Sequence, residues 1–196
     1  MDITCTHCGS NFVLPDDRVP EAKKFKLNCP KCREPIVIEH EKNGDAEKIV
    51  APEHFPHDAT VAFLFVTNKG LSDRISLFLK SRGIFVSESA LIHEALDKVR
   101  INYYNIIILE DSEHAKAILG LIRKWNGLRR RDVNVILVET DCKSLHSNEA
   151  FYRGVNSVIS SKDNERVESI LDLAMGEFKS YSEPWAVAAQ RLHAKG

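Results

Sequence analysis

Long apolar runs are missing from this sequence. No stretch among its 196 residues approaches the ~20 apolar residues that a membrane-spanning helix needs. An excess of one charge is missing too. The 27 Lys and Arg stand against 28 Asp and Glu, for a formal net charge of −1. That balance gives no global pull toward nucleic acid or anionic lipid. Glycine is scarce, and no phosphate-binding glycine loop or nucleophile elbow occurs. The opening residues, Met1-Asp2-Ile3-Thr4-Cys5, lack the basic and then apolar segments of a secretory signal. A cytoplasmic protein without a membrane segment is therefore expected, in a compartment where thiols stay reduced. The rest of the composition, 43% hydrophobic and 28% charged, is that of a globular chain of one or two domains.

Four of the five cysteines fall within the first 32 residues, as Cys5-Thr6-His7-Cys8 and Cys29-Pro30-Lys31-Cys32. Three short β-like runs surround them, at 11–14, 25–27 and 36–38. A segment of some forty residues has too little apolar mass to fold alone, with Phe12 and Phe25 as its largest core candidates. A tetrahedral metal site supplies the missing stability. Each C-x-x-C turn directs two thiolates at one ion, and Cys5, Cys8, Cys29 and Cys32 fill four positions. Such a site has no open position and is structural, not catalytic. Four thiolates suit iron as well as zinc. A redox motif does not usually come as a pair of pairs. Gly9 fits a tight metal-binding turn, whereas Arg33 holds the matching place in the second turn, which is expected to be less regular. His7 and His40 are read as ordinary polar residues.

The segment MDITCTHCGSNFVLPDDRVPEAKKFKLNCPKC resembles a family of short N-terminal zinc ribbons in bacterial proteins. Their pattern is M-x-I-x-C-x-x-C-x-x-x-(F/Y)-x-(V/L)-P-(D/E)-x-x-(V/L)-P, then a basic strand and a second C-x-x-C. The resemblance implies a ribbon held by one zinc ion and no single activity.

Residues 41–59 are charged and carry Gly44, Pro52 and Pro56, which reads as a linker between a ribbon at 1–40 and a domain at 60–180. His54 and His57 are taken as linker residues. From Ala59 on, strand candidates at 61–66, 84–87, 105–109, 133–138 and 155–160 alternate with helix candidates at 71–82, 89–101, 113–126, 144–153 and 164–179. In the third helix Ala115, Ile118, Leu119, Ile122 and Trp125 share a face, with Ser112 as N-cap and Gly127 as stop. Continuous apolar strands joined by helices indicate an α/β fold with a parallel sheet covered on both faces. Five β/α units of this length give a flavodoxin-like doubly wound domain. A separate last helix is expected over 182–194, within a tail at 181–196, with Ser182 as cap, Pro184 in its first turn and Trp185 on its packed face.

The order of residues 60–180 resembles the receiver domain of two-component response regulators. The carrying segments are Gly83-Ile84-Phe85-Val86-Ser87, Glu94-Ala95-Leu96, Asn105-Ile106-Ile107-Ile108-Leu109-Glu110 and Gly154-Val155-Asn156-Ser157-Val158-Ile159. A working receiver, by this resemblance, holds Mg²⁺ on two acids after the first strand. An Asp ending the third strand accepts the phosphoryl group, and a Thr or Ser and a Lys contact its oxygens. Here Thr67-Asn68 replace the acid pair. Glu110 stands at the acceptor position with Asp111 next to it. The hydroxyl position falls on Glu139 or Thr140, and the Lys position near Ser161-Lys162.

A degenerate receiver that acts by protein–protein contact follows, and no enzyme. The resemblance places the contact or homodimer face at residues 144–179. One rival keeps phosphorylation, with Asp111 as acceptor and Glu110 and Glu139 as metal ligands. In another variant Glu110 mimics a phosphorylated Asp. A third reading is a nucleic-acid-binding regulator. It would use the basic residues of the ribbon (Lys23, Lys24, Lys26, Lys31, Arg33) and the cluster Arg123, Lys124, Arg129, Arg130 and Arg131. The bland reading of that cluster is a solvated loop, and Cys142 is expected to be an inert thiol.

Overall fold

The computed structural model describes residues 2–13, 24–39 and 51–193. It divides into two compact units, residues 1–49 and 50–196.

The first unit is a pair of antiparallel hairpins. Strands β1 (Asp2–Thr4) and β2 (Asn11–Val13) form one, and β3 (Lys24–Asn28) and β4 (Pro35–Glu39) the other. Strand β1 is the one strand of the ribbon that the sequence reading missed, since three residues carry no period. In the registers Phe12 pairs with Ile3 and Phe25 with Ile38. The side chains of Phe12 and Phe25, and all of His40, lie outside the described residues. Cys5, Cys29 and Ile36 are buried together, with Leu27 and Cys32 packed against them.

The second unit alternates strand and helix as expected. Its elements are β5 (Val61–Phe65), α1 (Lys69–Ser81), β6 (Phe85–Glu88), α2 (Ile92–Ile101), β7 (Ile106–Glu110), α3 (Glu113–Ile122), α4 (Gly127–Arg131), β8 (Asn134–Glu139), α5 (Ser147–Arg153), β9 (Ser157–Ser160) and α6 (Val167–His193). A 3-10 helix, Ser161–Arg166, links β9 to α6. All five strands are parallel, in the order β6-β5-β7-β8-β9. Numbered within the unit this is 2-1-3-4-5, the flavodoxin-like doubly wound order.

Period-2 alternation divides the core into two layers. Phe63, Phe65, Ile107, Leu109, Val135 and Leu137 meet the inner faces of α2, α3 and α5. Leu64, Ile106, Ile108, Ile136, Val138 and Ile159 face α1 and α6. Both faces of the sheet are covered, which is why the strands read as unbroken apolar runs.

Three boundaries differ from expectation. Residues 51–59, the second half of the expected linker, pack on the α/β unit; residues 41–50 lie outside the described residues. Glu53 accepts from Ser87 Oγ at 2.7 Å and from Tyr104 OH at 2.6 Å, and sits 3.3 Å from Lys98 Nζ. Its N–H donates to Asn102 Oδ1 at 2.8 Å, and the ring of Phe55 lies 5.8 Å from that of Phe85. Helix α3 ends at Ile122, and Gly127 opens α4 behind an Asn126 cap instead of stopping α3. Trp125 then sits under the Arg129 guanidinium, 4.0 Å from its ring centroid. Finally, α6 runs unbroken through Pro184. Ser182 caps nothing; its hydroxyl donates back to Lys179 O at 3.2 Å. The ring of Trp185 carries Arg131 at 5.0 Å, which holds the far part of the helix to α4.

Among the described residues no helix is long and apolar enough to cross a membrane.

Candidate functional site: a thiolate cage and a strand-end pocket

The two cysteine turns are copies of one another. Cys5 N donates to Ser10 O and Gly9 N to Cys5 O; Cys29 N donates to Glu34 O and Arg33 N to Cys29 O, all at 2.9 Å. Gly9 has φ 68° and Arg33 has φ 62°. The second turn is therefore as regular as the first, contrary to expectation, with a residue bearing a Cβ held in the left-handed region. The reason is the hydrogen bonding: closing the turn onto the cysteine carbonyl fixes the backbone whatever the side chain.

The four sulfurs lie within 4.8 Å of one another. Cys5 Sγ is 3.7 Å from Cys32 Sγ, and Cys8 Sγ is 3.7 Å from Cys29 Sγ. All are free thiols. A tetrahedron with metal–sulfur bonds of about 2.3 Å has an edge of about 3.8 Å. The sulfurs thus stand at the edge length of a four-thiolate cage, well beyond disulfide length. Ser10 Oγ lies 3.0 Å from Cys8 Sγ and lowers that thiol's pKa. The backbone N–H of Cys32 pulls Cys29 down to about 6. The backbone N–H of Glu34 acts the same way on Cys32, but burial and the three neighbouring sulfurs outweigh it and push that thiol up to about 12. Among the described residues this quartet is the group suited to a metal; His7 is exposed and outside it.

The receiver-like positions lie at the C-terminal ends of the parallel strands, where doubly wound folds place their sites. The structure divides them. Glu110, last residue of β7, turns its carboxylate to the loop after β5. Its Oε2 accepts from Thr67 N at 2.6 Å, from Asn68 N at 2.9 Å and from the Thr67 hydroxyl. Asn68 caps α1, its Oδ1 accepting from Leu71 N at 3.1 Å. Asp111, Glu139 and Thr140 line a cavity of about 270 Å³ with Glu110, Asp141, Arg153 and Ser161. The hydroxyl of Thr140 is exposed and accepts from Ser161 Oγ at 3.2 Å. Lys162 stands outside this cavity, 3.4 Å from Asp141 Oδ1. Sequence reasoning missed Arg153, whose Nη2 lies 2.9 Å from Glu139 Oε2. The spacing Glu149 to Arg153, an i,i+4 pair, was the available signal.

Three of the cluster's arginines make hydrogen bonds within the α/β unit, although Arg123, Lys124 and Arg131 are exposed. Arg123 donates to Arg153 O, Arg129 to Val99 O and Asn102 O, and Arg130 to Val133 O, Gly154 O and Asn156 Oδ1. Burial lowers the pKa of Arg130. These guanidiniums satisfy carbonyls left over where loops and helices end. Cys142 is half-buried, and burial pushes its thiol up to about 11, away from reactivity. His54 and His57 are exposed, and His57 Nδ1 lies 3.1 Å from Asp58.

Residues 1–37 match a family model described as a zinc-ribbon domain. Curated proteins give no match. Similar solved structures include an orphan response regulator of Helicobacter pylori, 14% identical with a TM-score of 0.47, covering 61% of this chain and 98% of that one. Another is the chemotaxis response regulator CheY4 of Vibrio cholerae, at 14% identity and a TM-score of 0.49 with the same coverage. A third is the receiver domain of a Francisella response regulator, at 14% identity and a TM-score of 0.48, covering 62% and 98%.

Proposed function

We propose that this is a cytoplasmic regulatory protein that works by contact: a ribbon held by one structural zinc ion, joined to a receiver-like unit that phosphorylation does not switch. The observation that carries the second half is the Glu110 carboxylate, bound by Thr67 and Asn68. A divalent ion at this place would need hard oxygen ligands on the loop after β5. Thr67 and Asn68 instead direct N–H and O–H donors at Glu110, and the Asn68 oxygen is committed to capping α1. The loop and the third strand are thus bridged without metal. Glu110 faces that loop, which speaks against its mimicking a phosphorylated Asp.

Four thiolates at tetrahedral spacing fill a metal shell, so the ribbon's ion stabilises and does not catalyse. The unit offers its surface for use, and residues 144–179, with Phe151 and Tyr152 exposed, are the contact or homodimer face we favour. Nucleic-acid binding loses support because Arg123, Arg129 and Arg130 are already engaged on carbonyls.

The test is phosphoryl transfer. The full chain, given acetyl phosphate and Mg²⁺, should gain no phosphate by intact mass. Stable phosphate on Asp111, lost in Asp111→Asn, would overturn this reading and favour a phosphorylatable regulator.

A further inference from the structure

Glu139 ends β8, and its side chain is 3% exposed. A carboxylate taken that far out of water costs several kcal/mol unless a cation compensates it. Among the residues lining the cavity beside it, Glu110, Asp111 and Asp141 are also acids, and Arg153 is the cation. Its guanidinium lies 2.9 Å from Glu139 Oε2 and 3.1 Å from Glu149 Oε1. Neither Glu139 oxygen accepts a hydrogen bond among the described residues. Arg153 therefore meets Glu139 as a charge near a charge and not as a well-aligned hydrogen-bond donor.

Arg153 also belongs to α5, directly after Phe151 and Tyr152, which are 87% and 80% exposed. Its own carbonyl accepts from Arg123 Nη2 at 2.9 Å, and Gly154, at φ 71°, ends the helix there. The helix is short, seven residues, and buries only Ala150. Packing alone does not hold it. The side chain of Arg153 ties it to the end of β8, and Arg123 ties its last turn to the end of α3.

We propose that Arg153 is the resident cation of the strand-end cavity: it neutralises Glu139 in place of a divalent ion, and so fixes α5 and the aromatic pair that helix displays. This deepens the function proposed above and rests on it. Two consequences follow from charge alone. While the guanidinium is present, a divalent ion must compete with it for the same carboxylate and is repelled at close range. Without it, Glu139 and Asp111 become two oxygen donors on a cavity with room for several waters, a set that suits an ion keeping part of its hydration shell.

The experiment uses the full, zinc-loaded chain and Mn²⁺, a hard ion for which the ribbon thiolates compete poorly. Mn²⁺ binding is measured by calorimetry and backbone hydrogen exchange by mass spectrometry, on the native chain, Arg153→Met, Arg153→Lys and Glu139→Gln. The native chain should bind Mn²⁺ weakly. Arg153→Met should bind one Mn²⁺ at least ~10-fold more tightly and exchange at least ~10-fold faster over residues 147–153 before the ion is added. Arg153→Lys, which keeps the charge, should stay within ~3-fold of the native chain in both readouts. Glu139→Gln should free α5 as Arg153→Met does, yet gain no Mn²⁺ binding, which keeps the inference testable if Arg153→Met does not fold. Native-like exchange over 147–153 in both Arg153→Met and Glu139→Gln would overturn it, as would tight Mn²⁺ binding by the native chain. Phosphate on Asp111 would instead defeat the reading above while leaving these exchange rates as they are.

Discussion

Arg33 stands in the second cysteine turn where Gly9 stands in the first, with φ 62° against 68°. The left-handed region costs a residue with a Cβ roughly 1–2 kcal/mol, and glycine almost nothing. Arg33→Gly should therefore stabilise the ribbon by about 0.5–1 kcal/mol, since the extra freedom of glycine in the unfolded chain offsets part of the gain. Slower zinc loss to a chelator would show it. Faster loss would mean that the Arg33 side chain contributes something the backbone does not.

Removing the metal should unfold one unit and spare the other. The four sulfurs stand at tetrahedral spacing around a small cluster, and bound metal contributes on the order of 10 kcal/mol to folding. Cys5→Ser, Cys29→Ser or chelation should abolish the ribbon's transition in calorimetry. The transition of the α/β unit should move by no more than ~2 °C. A single transition lost on chelation would contradict two separately folding units. Metal analysis should find about one zinc per chain.

Tyr104 is 2% exposed and its hydroxyl donates to Glu53. Burial first, and the Glu53 acceptor next, hold its pKa well above the usual value of about 10. For a pKa raised on folding, the stabilising contribution is complete below pH ~10 and lost as pH rises through the folded value. Urea denaturation from about pH 8 to about pH 11 should show stability falling more steeply in the native chain than in Tyr104→Phe. Tyr104→Phe should also cost about 1–3 kcal/mol at neutral pH, because Glu53 loses a donor in a partly buried site. Equal slopes would remove Glu53 and Tyr104 from the account of how residues 51–59 are held.

Arg130→Ala should behave as a stability mutation. Its guanidinium serves Val133 O, Gly154 O and Asn156 Oδ1, and a loss of about 1–3 kcal/mol is expected. Unfolding measurements read the loss. Unchanged stability together with weakened, salt-sensitive DNA binding would restore the nucleic-acid reading.

The sheet was legible because its signal is local. Runs such as Ile106–Leu109 and Val135–Val138 are buried on both faces and show it in every residue. Ser112 capped α3 as expected, its Oγ accepting from Ala115 N at 3.0 Å. The cysteine cage was legible because spacing alone fixes which thiols can share an ion. What escaped depends on partners far along the chain. Glu53 looks like linker composition until Ser87, Lys98 and Tyr104 surround it. Arg130 looks like surface charge until acceptors from two different loops meet it. Arg153 pairs with a residue fourteen positions earlier, across a strand-to-helix crossover that no local period reveals. Pro184 misled for the opposite reason: it is a strong local signal for a helix start, yet it lies inside the continuous α6.

On the proposed function, Glu110 and Arg153 leave the strand ends without a working site for a divalent ion or a phosphoryl group. Amide chemical shifts of the full chain, recorded during addition of Mg²⁺ and then beryllofluoride, test it most directly. No saturable shift is expected at Thr67, Asn68, Asp111 or Thr140. Saturable shifts at these residues, spreading into α5, would contradict it.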